Sequence, residues 1–263
     1  MQAELLSNGG LVVSVVSHGH GLAVRALLQD LARLCARSVT RVVVTLNQPR
    51  EESPISDAER WPFSVDMRRN CAPRGFGTNH NQALQGAAES FVCVLNPDVR
   101  LVGSSDPFAA LLAVARRPGV GCAYPQQVDE GGRLQDSERA LPTPAALLRR
   151  RLLGLGDARV DWVNAACLVL PRQAWEAVGG FDERYHMYCE DVDLSLRLRL
   201  AGWALARAPT RVLHVGQRAS RRHPQHLWWH LRSMVRLWAS PAYWRARTLL
   251  PLQPHAADTI GAP

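Results

Sequence analysis

The sequence predicts an α/β fold: a mostly parallel central sheet flanked by helices, with a basic helical C-terminal extension. Three observations predict it. Leu11 to Ser17 (LVVSVVS), Arg41 to Leu46 (RVVVTL) and Phe91 to Leu95 (FVCVL) are continuous apolar runs, the signature of strands covered on both faces. Stretches of helical periodicity separate them. The last quarter of the chain changes composition abruptly.

Taken in order, the first strand opens into the tight turn His18-Gly19-His20-Gly21, and Leu27, Leu28, Leu31 and Leu34 then mark one face of a helix ending near Cys35. Arg41 to Leu46 is the second strand, Arg50 to Pro62 a polar loop, and Val65 to Met67 a short third strand. Gly75-Phe76-Gly77 leads into a helix over Thr78 to Ala88, with Thr78 as its expected cap. Phe91 to Leu95 stops sharply at Asn96-Pro97-Asp98, and Asp106-Pro107 starts a helix to about Ala115. Val120 to Tyr124 reads as a strand, Asp129 to Pro144 as a hairpin or loop, and Val160 to Leu170 as one strand. Arg172 to Ala177 is a short helix.

A chain of 263 residues can bury a full core, and its 47% apolar share is ordinary for a globular protein. No apolar run is long enough to span a bilayer, and MQAELLSNGG lacks the basic start of a secretory signal. Six scattered cysteines without a CxxC pair argue for reduced thiols and against a zinc or disulfide framework. The cytosol is the expected compartment. All 31 basic residues are arginine, and Leu194 to Ala257 holds 11 of them without one Asp or Glu.

The densest chemistry lies in Gly179 to Trp203, GGFDERYHMYCEDVDLSLRLRLAGW, which carries five of the 23 acids: Asp182, Glu183, Glu190, Asp191 and Asp193. Such a cluster repels itself and calls for a cation or a helix N-terminus opposite it. The alternation after Asp193 fits a strand. The i,i+4 rows Val192/Leu196/Leu200 and Leu194/Leu198, with a glycine stop at Gly202, fit a helix whose carboxylates sit at its N-terminal mouth. The helix is the expectation. An acidic cap without chemistry is the plainer reading of these residues alone. Asp98 stands just past a strand's carboxyl end, where open α/β sheets bind ligands, although Asn-Pro-Asp is also ordinary turn chemistry.

The segments LVVSVVS, GFGTNHNQAL, FVCVLNPDVRL, VDWVNAACLVLPRQAWEAVGGFDERYHMYCEDVDLSLRLRLAGW and RVLHVG, in this order, resemble a family-2 glycosyltransferase of the rhamnosyltransferase-like branch. The resemblance spans about residues 11 to 216 and is most specific from Asp161 to Trp203. It implies a GT-A domain over 1–217 followed by a basic, Trp-rich extension over 218–263. The implied activity is inverting transfer of a sugar, rhamnose among the candidates, from a nucleotide-diphosphate donor such as dTDP-rhamnose to a saccharide or lipid-linked saccharide in surface-polysaccharide assembly. Mg2+ or Mn2+ is the implied cofactor.

By resemblance Asp98 and His214 are metal ligands, Asp191 is the general base with Glu190 beside it, and Ser17, Asn47, Gly75, Asn81, Asn96 and Asp98 face the donor. Trp162, Asp182, Glu183 and Asp193 fall on the acceptor side. The sequence departs from the family where Thr45-Leu46-Asn47 replaces the expected nucleobase-reading Asp and where Ala165 replaces a glycine. The missing nucleobase-reading Asp slightly favours an alternative, a nucleotide-sugar-binding scaffold without turnover; the intact Glu190-Asp191-Val192-Asp193 argues against it.

In residues 218 to 247, Trp228, Trp229, Trp238 and Trp244 sit among seven arginines. A helix from Pro224 gives one apolar stripe of Leu227, Leu231, Met234, Val235 and Trp238, suited either to packing on the domain or to an anionic membrane surface. A nucleic-acid partner is not expected, because it leaves the acidic mouth without a purpose.

Overall fold

The computed structural model describes residues 9–56, 58–144, 159–215 and 224–250. Its centre is an eight-stranded sheet in the order β3-β2-β1-β4-β9-β6-β10-β5. The strands are β1 (Leu11–Ser17), β2 (Arg41–Leu46), β3 (Ser64–Arg69), β4 (Phe91–Leu95), β5 (Val99–Arg100), β6 (Val120–Val128), β9 (Cys167–Pro171) and β10 (Ala204–His214). β1 to β4 run parallel, β9 lies antiparallel between β4 and β6, and β10 returns parallel to β6. The short strands β7 (Glu138–Arg139) and β8 (Trp162–Val163) form a separate two-stranded ribbon.

The three continuous apolar runs are β1, β2 and β4, adjacent in the sheet. Leu11, Val12, Val13, Val15, Val42, Val43, Val44, Val92, Cys93, Val94 and Leu95 are wholly buried, because helices cover both faces. One face carries α1 (Gly21–Leu34) through Val24, Leu27, Leu28 and Leu31, and α3 (Pro107–Ala115) through Phe108 and Leu111. Asp106 caps α3 as expected, its side chain accepting from the N–H groups of Phe108 and Ala109. The other face carries α2 (Phe76–Leu84), α4 (Arg172–Val178) and part of α5 (Glu190–Leu200).

Two local expectations are corrected. The helix expected from Thr78 begins at Phe76 and follows Gly75, with no side-chain cap. Its first N–H is instead satisfied by the chain: Phe76 N donates to His186 O at 2.9 Å. A Cβ on Gly75 would stand 2.8 Å from that same carbonyl oxygen, so only glycine lets the two segments meet. The single strand expected over 160–170 breaks into β8 and β9 at Asn164-Ala165-Ala166, where Asn96 N donates to Ala166 O at 2.8 Å.

α5 is a helix, and the alternation in its sequence reflects burial almost all round. Val192, Leu194, Leu196 and Leu198 are buried, as are Ser195 and Arg199. Arg199 is tolerated there because its guanidinium meets Asp161 Oδ1 at 2.6 Å. Gly202 follows α5 at φ +88, the left-handed stop the sequence predicts. α6 (Pro224–Ala239) and α7 (Pro241–Leu249) pack on α5 through Leu237, Tyr243, Ala246 and Leu250.

Candidate active site

The strand order places a switch point at β1, whose neighbours β2 and β4 are reached by connections that leave in opposite directions. Ligands of open sheets bind beyond the carboxyl ends at such a point. Ser17 ends β1 there, buried, with its hydroxyl on the Glu51 carboxylate and accepting from His20 N at 3.0 Å. Asn47 follows β2, and both ends of its amide hold the loop before α2: Nδ2 donates to Arg74 O at 3.0 Å and Oδ1 accepts from Arg74 N at 2.8 Å. Asn47 therefore shapes the loop that ends in Gly75.

At the end of β4, Asn96 is tied to Ala166 and the turn delivers Asp98 to the end of β10. His214 Nε2 lies 3.5 Å from Asp98 Oδ1, and that oxygen is excluded from solvent without a hydrogen-bond partner. Burial pushes the Asp98 carboxyl up, but the adjacent His214 and the more distant His20 outweigh it and leave it below the ordinary value. Gln135 fixes the imidazole: its Nε2 donates to His214 O at 2.6 Å, which turns its Oε1 toward Nδ1 at 3.1 Å. Nδ1 thus carries the proton donated to Gln135, and Nε2 faces Asp98. An orphaned buried carboxylate oxygen beside an oriented imidazole fits a divalent cation that takes its remaining oxygens from phosphate and water. Among the described residues no third His, Cys, Asp or Glu joins them.

The mouth of α5 is built on a strained turn. Tyr188 and Cys189 adopt φ 70 and φ 64, a region costing side-chain-bearing residues about 1–3 kcal/mol each. The turn is held by α6, where Ser233 Oγ donates to Met187 O at 2.8 Å and His226 Nδ1 lies 2.9 Å from Tyr188 Oη. Glu190 then points inward, buried, with Oε2 unpartnered. Burial, reinforced by the charge of Asp191, pushes its carboxyl well above the ordinary range. Asp191 is half-buried at the mouth. Burial raises its pKa from 3.8 to about 6, against lowering by the Val192 N–H, the Arg139 charge and the Ala165 N–H. The Asn164–Ala166 link thus touches both carboxylate centres, Asp191 through Ala165 and the Asp98 turn through Ala166 and Asn96.

The whole arrangement has relatives. Residues 10–239 match the profile of the family described as "Glycosyltransferase like family 2". This chain is a family-2 glycosyltransferase. It is similar to the N-acetylglucosaminyl-diphospho-decaprenol L-rhamnosyltransferase of Mycobacterium tuberculosis, 30% identical over 285 aligned positions that cover 93% of this chain and 92% of that protein. Rhamnosyltransferase WbbL of Escherichia coli (strain K12) is 29% identical over 245 positions, 85% of this chain and 90% of that one. Among solved structures, the mannosyltransferase PcManGT from Pyrobaculum calidifontis, in complex with GDP-Man and Mn2+, superposes with a TM-score of 0.59. It is 16% identical and the match covers 95% of this chain and 77% of that one, a likeness of GT-A fold.

The remaining residues singled out in the sequence have definite places in the glycosyltransferase. Asn81 is tied to the loop before α5. Its Nδ2 donates to Phe181 O at 2.8 Å and to Glu183 Oε1 at 3.0 Å, and its Oδ1 accepts from Phe181 N at 2.9 Å. It joins α2 to the loop before α5. Asp182 is paired with Arg184 at 2.5 Å, and Asp193 is buried with Arg197 at 2.6 Å. Arg197 also donates to the carbonyls of Val178 and Gly180, so Asp193 anchors the turn that starts the acidic segment. Trp162 is largely buried under the Arg139 guanidinium, 5.3 Å from its ring centre, and donates to Ala140 O at 2.9 Å.

Two residues escaped the sequence reading. Glu51 is buried at the β1 edge with Oε2 unpartnered, yet it reads as one of several acids in a solvated loop. Gln135 reaches His214 across 79 positions, with no local signal.

Proposed function

We propose that this glycosyltransferase is an inverting rhamnosyltransferase that uses a nucleotide-diphosphate donor, such as dTDP-rhamnose, and a lipid-linked saccharide acceptor. The observation that carries the reading is the approach of two carboxylate centres to one short link, Asn164–Ala166: Asp191 with its pKa near 6, and Asp98 with an orphaned oxygen beside His214. A sugar hydroxyl is a poor nucleophile, and a carboxylate titrating near 6 is suited to take its proton at neutral pH. Burial, then the charge of Asp191, pushes the Glu190 carboxyl up, which disfavours a second negative charge in the mouth. Asp98 and His214 would hold Mg2+ or Mn2+, which when bound offsets charge developing on the leaving diphosphate. Ser17, Asn47, Gly75 and Asn96 shape the donor end, and Asp182, Glu183 and Trp162 the acceptor side.

The rhamnosyltransferase names of two relatives that match most of their length support this reading. A panel of nucleotide sugars in thermal denaturation, with and without Mn2+, tests it, since a ligand that binds only the folded state raises its stability. dTDP-rhamnose with Mn2+ gives the largest rise. A rise for another nucleotide sugar alone removes rhamnose from the reading.

Asp191 sets the pH dependence. A base must be deprotonated, so kcat/KM falls about tenfold per pH unit below an apparent pKa of about 6 and is flat just above it. Because the folded-state value lies above the ordinary 3.8, the native state binds the proton more tightly than the unfolded chain does. This group's contribution therefore weakens stability as pH rises through 4 to 6. An acid limb with midpoint near 4 in the pH profile contradicts the assignment.

The transferase domain of residues 1–217 and the extension of 218–263 divide binding from attachment in this reading. No described helix is long and apolar enough to cross a membrane. The apolar stripe of α6 splits instead. Leu237 is buried and Met234 and Trp238 are half-buried, whereas Leu227, Leu231 and Val235 are 57%, 58% and 64% exposed. That outward row, in a segment carrying 11 arginines and no acid, suits the anionic inner face of the plasma membrane. Burying one leucine is worth about 1.5–3 kcal/mol, so Leu231→Glu lowers co-sedimentation with phosphatidylglycerol vesicles by at least about tenfold. Unchanged sedimentation overturns the membrane face.

A further inference from the structure

Four residues, His186 to Cys189, carry the chain into α5, and three different helices take their carbonyls. His186 O accepts from Phe76 N of α2 at 2.9 Å, and Cys189 O accepts from Asp193 N of α5 at 2.9 Å. Between them Met187 O accepts from Ser233 Oγ of α6 at 2.8 Å. The turn needs this holding, because Tyr188 and Cys189 both lie in the left-handed region, at φ 70 and φ 64. Residues with side chains persist there only where their surroundings over-determine them. Two of the three bonds join backbone to backbone. The third depends on one side chain.

α6 turns a row of side chains toward this turn, at the spacing that puts residues on one helix face. His226 Nδ1 lies 2.9 Å from Tyr188 Oη, the His230 ring 5.1 Å from the Tyr188 ring, and the Trp229 ring 4.8 Å from the His186 ring. Ser233 follows, 5% exposed, and Leu237 carries the row into the core. A buried serine is a poor choice for a helix interior, where alanine is favoured and where a hydroxyl often turns back on its own helix. Ser233 spends its hydroxyl on Met187 instead, so it serves the turn and not α6. Glu190 and Asp191 come directly after that turn. Misplacing a reacting group by about 1 Å costs about 10²-fold in rate.

We infer that α6 belongs to the catalytic apparatus, with Ser233 a positioning residue that holds Asp191 in place through the Met187 carbonyl. The inference rests on the reading of Asp191 as the base. It gives α6 two working faces: the outward row Leu227, Leu231 and Val235, and the inward row that sets the α5 mouth.

Ser233→Ala, Ser233→Thr and Ser240→Ala separate positioning from plain structural support. Ser240 caps α7 by accepting from Tyr243 N at 3.1 Å, so its loss weakens the same extension without touching the turn. Threonine keeps the hydroxyl, and its methyl has room because Ser233 borders a cavity of about 570 Å³. Turnover is read as hydrolysis of dTDP-rhamnose with Mn2+, water serving as the acceptor. The turn is read by deuterium exchange at the Phe76 and Asp193 amides, which donate to it. Ser233→Ala is expected to lower kcat at least about tenfold, to leave the donor KM within about twofold and to speed exchange at both amides. Ser233→Thr restores kcat to within about threefold of wild type, and Ser240→Ala lowers the melting temperature while kcat stays within about twofold. An equal loss of kcat in Ser233→Ala and Ser240→Ala reduces α6 to structural support. Faster exchange in Ser233→Ala with unchanged kcat shows that Asp191 does not need the turn held. Either result overturns the inference. Wild-type turnover by Asp191→Asn removes the base reading and the inference with it, and faster exchange in Ser233→Ala then still marks the Ser233 bond as what holds the turn.

Discussion

Asp191→Asn lowers the rate of sugar transfer by about 10²–10⁴-fold while leaving nucleotide-sugar affinity within about twofold. The amide keeps the shape of the side chain and its place at the α5 mouth. It loses the ability to accept a proton at a pH where the native carboxylate, with pKa about 6, is ionised. A base that acts on the acceptor hydroxyl contributes to the transition state and little to donor binding, so the loss falls on kcat and not on the donor's KM. The variant is expected to fold, because a neutral amide removes the desolvation cost of the Asp191 charge. Transfer by Asp191→Asn within about threefold of wild type removes Asp191 from the chemistry.

Asp98→Ala has an effect of similar size by a different route. It deletes the carboxylate whose Oδ1 is orphaned beside His214 Nε2 and leaves the imidazole without its partner. The expected result is loss of the Mn2+-dependent part of donor stabilisation and a fall in nucleotide release of about 10³-fold. His214→Ala shows the same metal signature more weakly, since a carboxylate carries the charge and the imidazole does not. Metal-independent donor binding of equal strength in wild type and Asp98→Ala contradicts the metal pair.

The buried parallel strands were legible because burial on both faces leaves a continuous apolar run. β1, β2 and β4 appear where LVVSVVS, RVVVTL and FVCVL stand. β7, β8 and the two-residue β5 have no such run; they exist because distant partners offer hydrogen bonds. The alternation after Asp193 could not decide helix from strand, since α5 is buried almost all round and shows no polar stripe. Thr78 was misread as a cap because the group that satisfies the helix start, His186 O, is 110 positions from Phe76. On α6, periodicity found apolar residues but not the direction they face. Leu237, absent from the expected stripe, is wholly buried, and Leu227, Leu231 and Val235, included in it, are exposed. The Asp98–His214 approach is long-range, and only the family resemblance anticipated it. Gln135 and Glu51 carried no signal at all, as their significance lies in what three-dimensional packing sets beside them.

One carboxylate base acting opposite the leaving diphosphate requires a single displacement at the anomeric carbon. The anomeric configuration of the product, read from its one-bond carbon–proton coupling and compared with that of the donor, tests this most directly. Inversion is the predicted result. Retention demands a second displacement at the anomeric carbon and would contradict the role given to Asp191.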